Sequence, residues 1–257
     1  MYWLAVDIGN STVLFGVFKD DELVYQWSIE TNIKTDVSYY ERSITEQLIE
    51  RQVDIKGLQS VISCVVPDLL VSILELLGWL TGKTPLTVQF DLYPGISLQI
   101  DHPLELGTDL FVNAIAAKHL HKSNSIIVDF GTALTFTVLT KEGKLVGVSI
   151  APGLETAVRS LYQGTAQLPK VPLAFPKSVI GKNTVESIQG GVLVGYVGLV
   201  SHLITSIRHE FGLDYIAIAT GSMTGILPPL DEIFEVTDPD LTLKGLQIYA
   251  ADIYTSH

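Results

Sequence analysis

The chain has 257 residues, enough for one large domain or for two of about 130 residues each. Apolar residues make up 47% and charged residues 17%, a balance that supports a sizeable core and excludes disorder as the main state. Lys and Arg number 16 against 28 Asp and Glu, a net charge of −12 that speaks against general binding to DNA, RNA or anionic lipid. The single cysteine, Cys64, excludes an internal disulfide framework and a cysteine-rich metal site, so a reducing compartment is expected. No uninterrupted apolar run reaches the ~18 residues of a membrane helix, and the start carries Asp7 with no basic segment before it. The sequence therefore predicts a soluble, cytoplasmic protein with no membrane or nucleic-acid partner.

In chain order, Trp3 to Phe18 reads as two strands broken at Asp7-Ile8-Gly9-Asn10, and Glu22 to Ile29 as a third. Val37 to Glu50 has helical spacing at Tyr40, Ile44 and Leu48. Gln59 to Val66 is a short apolar run suited to a buried strand. Pro67 then opens a helix through Leu80, with Leu69, Leu70, Ile73, Leu76 and Leu77 facing inward. Gly78 to Thr84 resembles a nucleotide P-loop, but it is one residue short and follows a helix, so it reads as a helix-ending turn.

The second half repeats the first. Val6-Asp7-Ile8-Gly9-Asn10-Ser11 finds a counterpart in Val128-Asp129-Phe130-Gly131-Thr132-Ala133, at an offset of 122 residues taken from Asp7 to Asp129. Carried forward without a gap, that offset pairs Lys19 with Lys141, Asp20 with Glu142, Leu23 with Leu145 and Val24 with Val146. Two related α/β domains are expected, residues 1–118 and 119–257. After the repeat, a helix starts at Leu154, and residues 169–182 form a loop with three prolines. Thr184 to His209 reads as a long helix whose Gly190, Gly191, Gly195 and Gly198 suit a close approach to another helix, including one from a second subunit. Tyr215 to Ala219 reads as a buried strand and Leu243 to Tyr254 as a closing helix.

A strand that ends in Asp-x-Gly and turns straight into another strand has chemical use. The glycine lets backbone approach a ligand, free N–H groups at the turn cradle phosphate oxygens, and the acid holds a hydrated Mg²⁺. Two such turns would grip a nucleoside triphosphate. An ordinary turn is the better explanation of one copy alone; the second copy in the same register favours the phosphate reading. Asp109 stands near the start of a helical pattern carrying Leu110, Ala114 and Ala117. The helix N-terminus there favours an ionised carboxylate, and either Thr108 or Asp109 could serve as the cap. His102, His119, His121, His202 and His209 show no metal-ligand spacing.

The paired hairpins look like the phosphate motifs of the superfamily that includes actin, sugar kinases and acetate kinase. Asp7-Ile8-Gly9-Asn10-Ser11 is more particular, followed in order by Pro103 with Gly107-Thr108-Asp109, Asp129-Phe130-Gly131-Thr132-Ala133 with Thr135, Pro152-Gly153, and Gly164-Thr165-Ala166 with Leu168-Pro169. As an ordered set these resemble type III pantothenate kinase. The resemblance implies an α/β fold of two duplicated ribonuclease-H-like (actin-type) domains, mixed sheets with flanking helices and a cleft between them. It implies ATP-dependent phosphorylation of pantothenate, the first step toward coenzyme A, in a homodimer.

Carried onto this chain, the resemblance gives Asp7, Ile8, Gly9, Asn10, Ser11, Thr12, Val13 and Leu14 to ATP phosphate and Mg²⁺, with Thr132 also touching ATP. It makes Asp109 the general base, gives Asp129 to a monovalent cation (K⁺ or NH₄⁺), and turns Ile100, Gly107, Thr108, Asp109, Leu110 and Thr184 toward the substrate. Three positions depart from the family pattern: Leu110 stands where the family has Arg, Ile100 where it has Tyr, and Ser222 where it has a second Gly. Leu110 cannot donate the fork of hydrogen bonds that Arg offers, and Arg159 and Lys182 are candidate replacements for that charge. The alternatives are a regulatory or accessory protein without catalysis, and a kinase for another small polyol. The intact Asp7, Asp109 and Asp129 favour phosphoryl transfer.

Overall fold

The computed structural model describes residues 2–255; Met1, where the reading of the N-terminal segment begins, lies outside the described residues. Contacts divide the chain into two compact units, residues 2–96, 102–119 and 242–255 in the first and residues 97–101 and 120–241 in the second.

The first unit is built on a five-stranded sheet of β1 (Tyr2–Ile8), β2 (Thr12–Lys19), β3 (Glu22–Glu30), β4 (Gln59–Cys64) and β5 (Leu86–Thr87), in the order β3-β2-β1-β4-β5. β2 is antiparallel to both β1 and β3, while β1, β4 and β5 run parallel. Alternation along β1 and β2 puts Leu4, Val6, Ile8, Val13, Phe15 and Val17 on one face. They pack with Tyr40, Ile44 and Leu48 of α1 (Ser38–Glu50) and with Leu69, Ile73 and Leu77 of α2 (Pro67–Thr81). These are the positions that helical spacing nominates, except that Leu70 is only half-buried. α2 ends on Gly82 at φ 72°, a left-handed cap that only glycine adopts freely, so the P-loop-like stretch is a helix end.

α3 (Thr108–His121), as far as His119, and α6 (Leu241–Thr255), from Thr242 onward, complete this unit. The sequence reading keeps residues 119–257 together, whereas the contacts group this last helix with the first unit. Gly245 explains the close approach: a side chain there would strike the Val112 backbone carbonyl of α3. Thr242 Oγ1 donates to Asn113 Oδ1 at 2.8 Å, Gln247 to Asp21 at 2.8 Å, and the Gln89 N–H donates to Tyr249 Oη at 3.0 Å. Polar bonds of this kind carry no periodicity that a sequence reveals.

The second unit repeats the design. Its sheet holds β6 (Ser97–Leu98), β7 (Ser125–Phe130), β8 (Ala133–Leu139), β9 (Lys144–Pro152), β10 (Ile216–Thr220) and β11 (Val236–Thr237), in the order β11-β10-β7-β8-β9-β6. Without β6, the arrangement β9-β8-β7-β10-β11 reproduces that of the first sheet strand for strand, with the same directions. α4 (Leu154–Gly164) and α5 (Thr184–Phe211) lie between β9 and β10 in the chain. Residues 165–183, with their three prolines, form neither helix nor strand.

The repeat is real, but its register differs from the ungapped one. Ile8 faces Val13 across the first turn, whereas Phe130 faces Leu134, so the second Asp-x-Gly turn is one residue shorter. β2 and β8 therefore match at an offset of 121, and the longer turn before β9 restores 122. Matched bulges prove the alignment: one falls between Val17 and Phe18, opposite Tyr25 and Leu23, the other between Val138 and Leu139, opposite Gly147 and Leu145. Lys19 thus corresponds to Thr140 and not to Lys141. A gap and its compensation within fifteen residues are invisible to an ungapped comparison.

α5 is 28 residues long and, by length and composition, apolar enough to cross a membrane, although no uninterrupted apolar run announces it. Ser, Gln, His and Thr punctuate the segment and hide its overall apolar character. Leu193, Tyr196, Val200, Ile204 and Ile207 along it pack into the core of the second unit with Val128, Phe136 and Ala219. Gly190–Val194 forms a π-helical turn inside it, where the Val179 carbonyl of the preceding loop lies so close to Gly190 that a side chain there would strike it.

Candidate active site

Three chain segments meet in the first unit. β1 ends on Asp7 and Ile8; the turn Gly9-Asn10-Ser11 follows, and Thr12, Val13 and Leu14 begin β2. The Gly9 N–H donates to the Thr12 carbonyl at 3.0 Å, which closes the turn. Thr31 braces it from the end of β3: its hydroxyl donates to the Gly9 carbonyl at 2.7 Å and its N–H to the Ser11 carbonyl at 2.9 Å. Beside β1, the parallel register sets Asp7 next to Ser63 and Ile8 next to Cys64 at the end of β4.

The third segment is the start of α3. Thr108 Oγ1 lies 2.9 Å from Ser63 Oγ, accepts the Cys64 N–H at 3.0 Å and lies 3.3 Å from the Cys64 carbonyl. The next residue, Asp109, is half-buried, and its Oδ1 accepts the Leu110 N–H at 2.9 Å. Its carboxylate folds back over Gly107, where a Cβ would collide with Oδ1. Burial pushes the Asp109 carboxyl above the ordinary carboxylate range, against the N–H groups of Leu110 and of Asp109 itself. The sequence reading expects the helix start to favour the ionised form; desolvation outweighs it. The Cys64 thiol is likewise raised, first by burial and further by the charge of Asp7.

The second unit carries the matching turn. The Gly131 N–H donates to the Ala133 carbonyl at 3.1 Å, and the exposed Thr132 offers its carbonyl to the Gly153 N–H at 3.0 Å and to the Thr156 hydroxyl at 2.9 Å. Pro152-Gly153 is pressed onto the turn, since a side chain on Gly153 would strike the Gly131 carbonyl. Arg159, one turn along α4, reaches Thr156 Oγ1 at 3.4 Å and so stands beside this turn. Asp129 has Thr135 of β8 and Thr220 of β10 as its cross-strand neighbours, whose buried hydroxyls have no hydrogen-bond partner among the described residues. Gly221, at φ 95°, follows; a Cβ on it would lie 2.5 Å from Asp129 Oδ1.

A family model for type III pantothenate kinase matches residues 3–206. The type III pantothenate kinase of Dehalococcoides mccartyi (strain CBDB1) is 36% identical over 245 residues, which cover 95% of this chain and 93% of the relative. The chain belongs to the type III pantothenate kinase family.

Solved structures agree on the fold. The activator of the 2-hydroxyisocaproyl-CoA dehydratase from Clostridium difficile superposes with a TM-score of 0.57 at 12% identity, over 100% of this chain and 97% of that one. The inorganic polyphosphate/ATP-glucomannokinase of Arthrobacter sp. strain KM gives 0.55 at 12% identity, over 100% and 99%. The duplicated sheets are therefore those of the actin and sugar-kinase fold, as the sequence predicts.

Within the family frame, the first unit brings together Asp7 to Leu14 with Gly107, Thr108, Asp109 and Leu110. Ile100, Asp129, Thr132 and Thr184 belong to the second unit. Leu110, where the sequence reading marks a departure from the family pattern, has a side chain only 7% exposed; its N–H donates to Asp109 Oδ1. Thr184 is exposed at the first position of α5, behind the cap Asn183, whose Oδ1 accepts the Glu186 N–H at 3.0 Å. Sequence reasoning misses Ser63 and Thr31, because a lone hydroxyl at a strand end carries no pattern; only the strand register reveals them.

Proposed function

We propose that this protein transfers the γ-phosphoryl group of ATP to the primary hydroxyl of pantothenate, giving 4′-phosphopantothenate and ADP, the first step toward coenzyme A. Membership in the family supports the substrate. The observation that supports the chemistry is the anchoring of Thr108, the residue before Asp109, to Ser63 and Cys64, which stand in register beside Asp7 and Ile8.

Backbone N–H groups of the Asn10-Ser11 part of the turn, and the side chains of Ser11 and Thr12, bind ATP phosphate, with Ile8, Gly9, Val13 and Leu14 shaping the same stretch. Thr132, exposed on the shorter turn of the second unit, is the further residue assigned to ATP. Asp7 suits Mg²⁺: this ion keeps several waters and takes one or two protein carboxylates plus substrate phosphates. Asp129 suits K⁺ or NH₄⁺, because the Thr135 and Thr220 hydroxyls beside it complete an oxygen set. Bound there, these cations offset phosphate charge.

Asp109 takes the proton of the substrate hydroxyl. An alcohol is too weak an acid to ionise beforehand at neutral pH, so proton loss accompanies attack. A carboxyl raised by burial is a stronger base than an ordinary aspartate, and its position over Gly107 aims it. Gly107, Thr108 and the Leu110 N–H of the first unit, and Ile100 and Thr184 of the second, are the residues assigned to pantothenate. The chain acts as a homodimer in the cytoplasm. Gly191, Gly195 and Gly198 along α5, each exposed with open space where a side chain would stand, give a second copy a close approach.

Steady-state ADP release by the purified protein with Mg²⁺ and K⁺ or NH₄⁺ tests this reading. Pantothenate should raise the rate well above the ATP-only background, and a panel of sugars and small polyols should not. Equal rates with a sugar and with pantothenate would refute the substrate assignment.

A further inference from the structure

Ser63 belongs to none of the groups given a role above, yet it stands between two of them. Side chains alternate along strands, so neighbours in register share a face: Ser63 of β4 lies on the same face of the sheet as Asp7 of β1. It is fully buried, at 0% exposure, and its Oγ lies 2.9 Å from Thr108 Oγ1. Thr108 also takes the Cys64 N–H and lies within reach of the Cys64 carbonyl. A threonine hydroxyl has one proton and two lone pairs. With the N–H of Cys64 and the O–H of Ser63 donated to it, and its own proton given to the Cys64 carbonyl, Thr108 is saturated. It is then held from three directions. Asp109 is the next residue in the chain.

We infer that Ser63 is a positioning residue for phosphoryl transfer, fixing the start of α3 against the ends of β1 and β4 so that the Asp109 carboxylate keeps its place relative to Asp7. The inference rests on the kinase reading above. A buried strand position needs no hydroxyl for packing, and an alanine fits the same space. What the oxygen adds is a bond to the residue preceding the base. A shift of about 1 Å in a catalytic group costs on the order of a hundredfold in rate, and losing one of three restraints costs less than that.

The test compares the wild-type protein with Ser63→Ala, Ser63→Cys and Ser63→Thr, measuring kcat, the KM of each substrate and the thermal midpoint. Ser63→Ala and Ser63→Cys should lose about tenfold in kcat at temperatures well below their midpoints, with the KM for ATP within twofold of wild type. Ser63→Thr, which restores the hydroxyl, should recover to within about threefold. A merely structural serine would lower the midpoint and leave the kcat of folded protein intact. Should Ser63→Ala fail to fold, the contrast between Cys and Thr decides. A Ser63→Cys variant as fast as wild type overturns the inference while leaving the kinase reading in place; a wild-type protein that makes no phosphopantothenate overturns both.

Discussion

Asp109 and Gly107 are fitted to one another: the carboxylate of the first occupies the space where a side chain of the second would stand. The glycine is thus a requirement of the carboxylate's position and not of backbone freedom. Gly107→Ala should keep the fold and lower kcat by about a hundredfold, since the added methyl must push Oδ1 aside. Circular dichroism with steady-state rates checks this; an alanine variant with wild-type turnover would show that the observed carboxylate position is not the working one.

Asp109 also sets a pH dependence. Burial raises its carboxyl above the usual value near 3.9, and transfer needs the ionised form. The acid limb of kcat should therefore lie above that of an ordinary aspartate, with activity falling as pH drops through the raised value. Stability runs the other way. The folded state holds the proton more tightly than the unfolded chain does, so the ionised carboxyl costs stability above the raised value. That cost fades as pH falls toward the unfolded value. Asp109→Asn should cut turnover by roughly 10²–10⁴-fold and melt at the same or a higher temperature at pH 7, with the gap closing in acid. A less stable variant at neutral pH would contradict the burial argument.

Gly221 tests the second unit. Its φ of 95° disfavours any side chain, at about 1–3 kcal/mol, and a Cβ would press on Asp129 Oδ1 at 2.5 Å. Gly221→Ala should lower the thermal midpoint and weaken stimulation by K⁺ or NH₄⁺ more than it raises the KM for pantothenate. Titrations of rate against each cation give the answer.

Much of the fold is legible in the residues themselves. The helical spacing of Tyr40, Ile44 and Leu48, Pro67 at a helix start and the twin Asp-x-Gly signals each reflect local physics, and each stands where the sequence places it. What escapes is non-local. The one-residue difference between the two turns shows only when strands pair. The grouping of Leu241–Thr255 with the first unit depends on Gly245 meeting Val112 and on scattered hydrogen bonds. The raised carboxyl of Asp109 is a consequence of burial, which the helix-start argument does not contain.

The glycines of α5 bear on assembly. Gly191, Gly195 and Gly198 have no atom within 4 Å of a side chain built on them. If a second copy packs there, Gly195→Leu should disrupt it while leaving the single chain folded. Light scattering should then give a mass near the 28.1 kDa of one chain, where the unaltered protein gives twice that. A two-chain mass for both would place the subunit contact elsewhere, and a one-chain mass for the unaltered protein would overturn the homodimer.

The account stands on phosphoryl transfer to pantothenate at the Asp7 and Asp109 site. Mass spectrometry of the products formed from ATP and pantothenate in the presence of Mg²⁺ and K⁺ or NH₄⁺ measures that step itself. The account predicts 4′-phosphopantothenate and ADP in equal amounts with wild-type protein, and formation slowed by roughly 10²–10⁴-fold with Asp109→Asn. Absence of phosphopantothenate from the wild-type reaction at saturating substrates, or undiminished formation by Asp109→Asn, would contradict it.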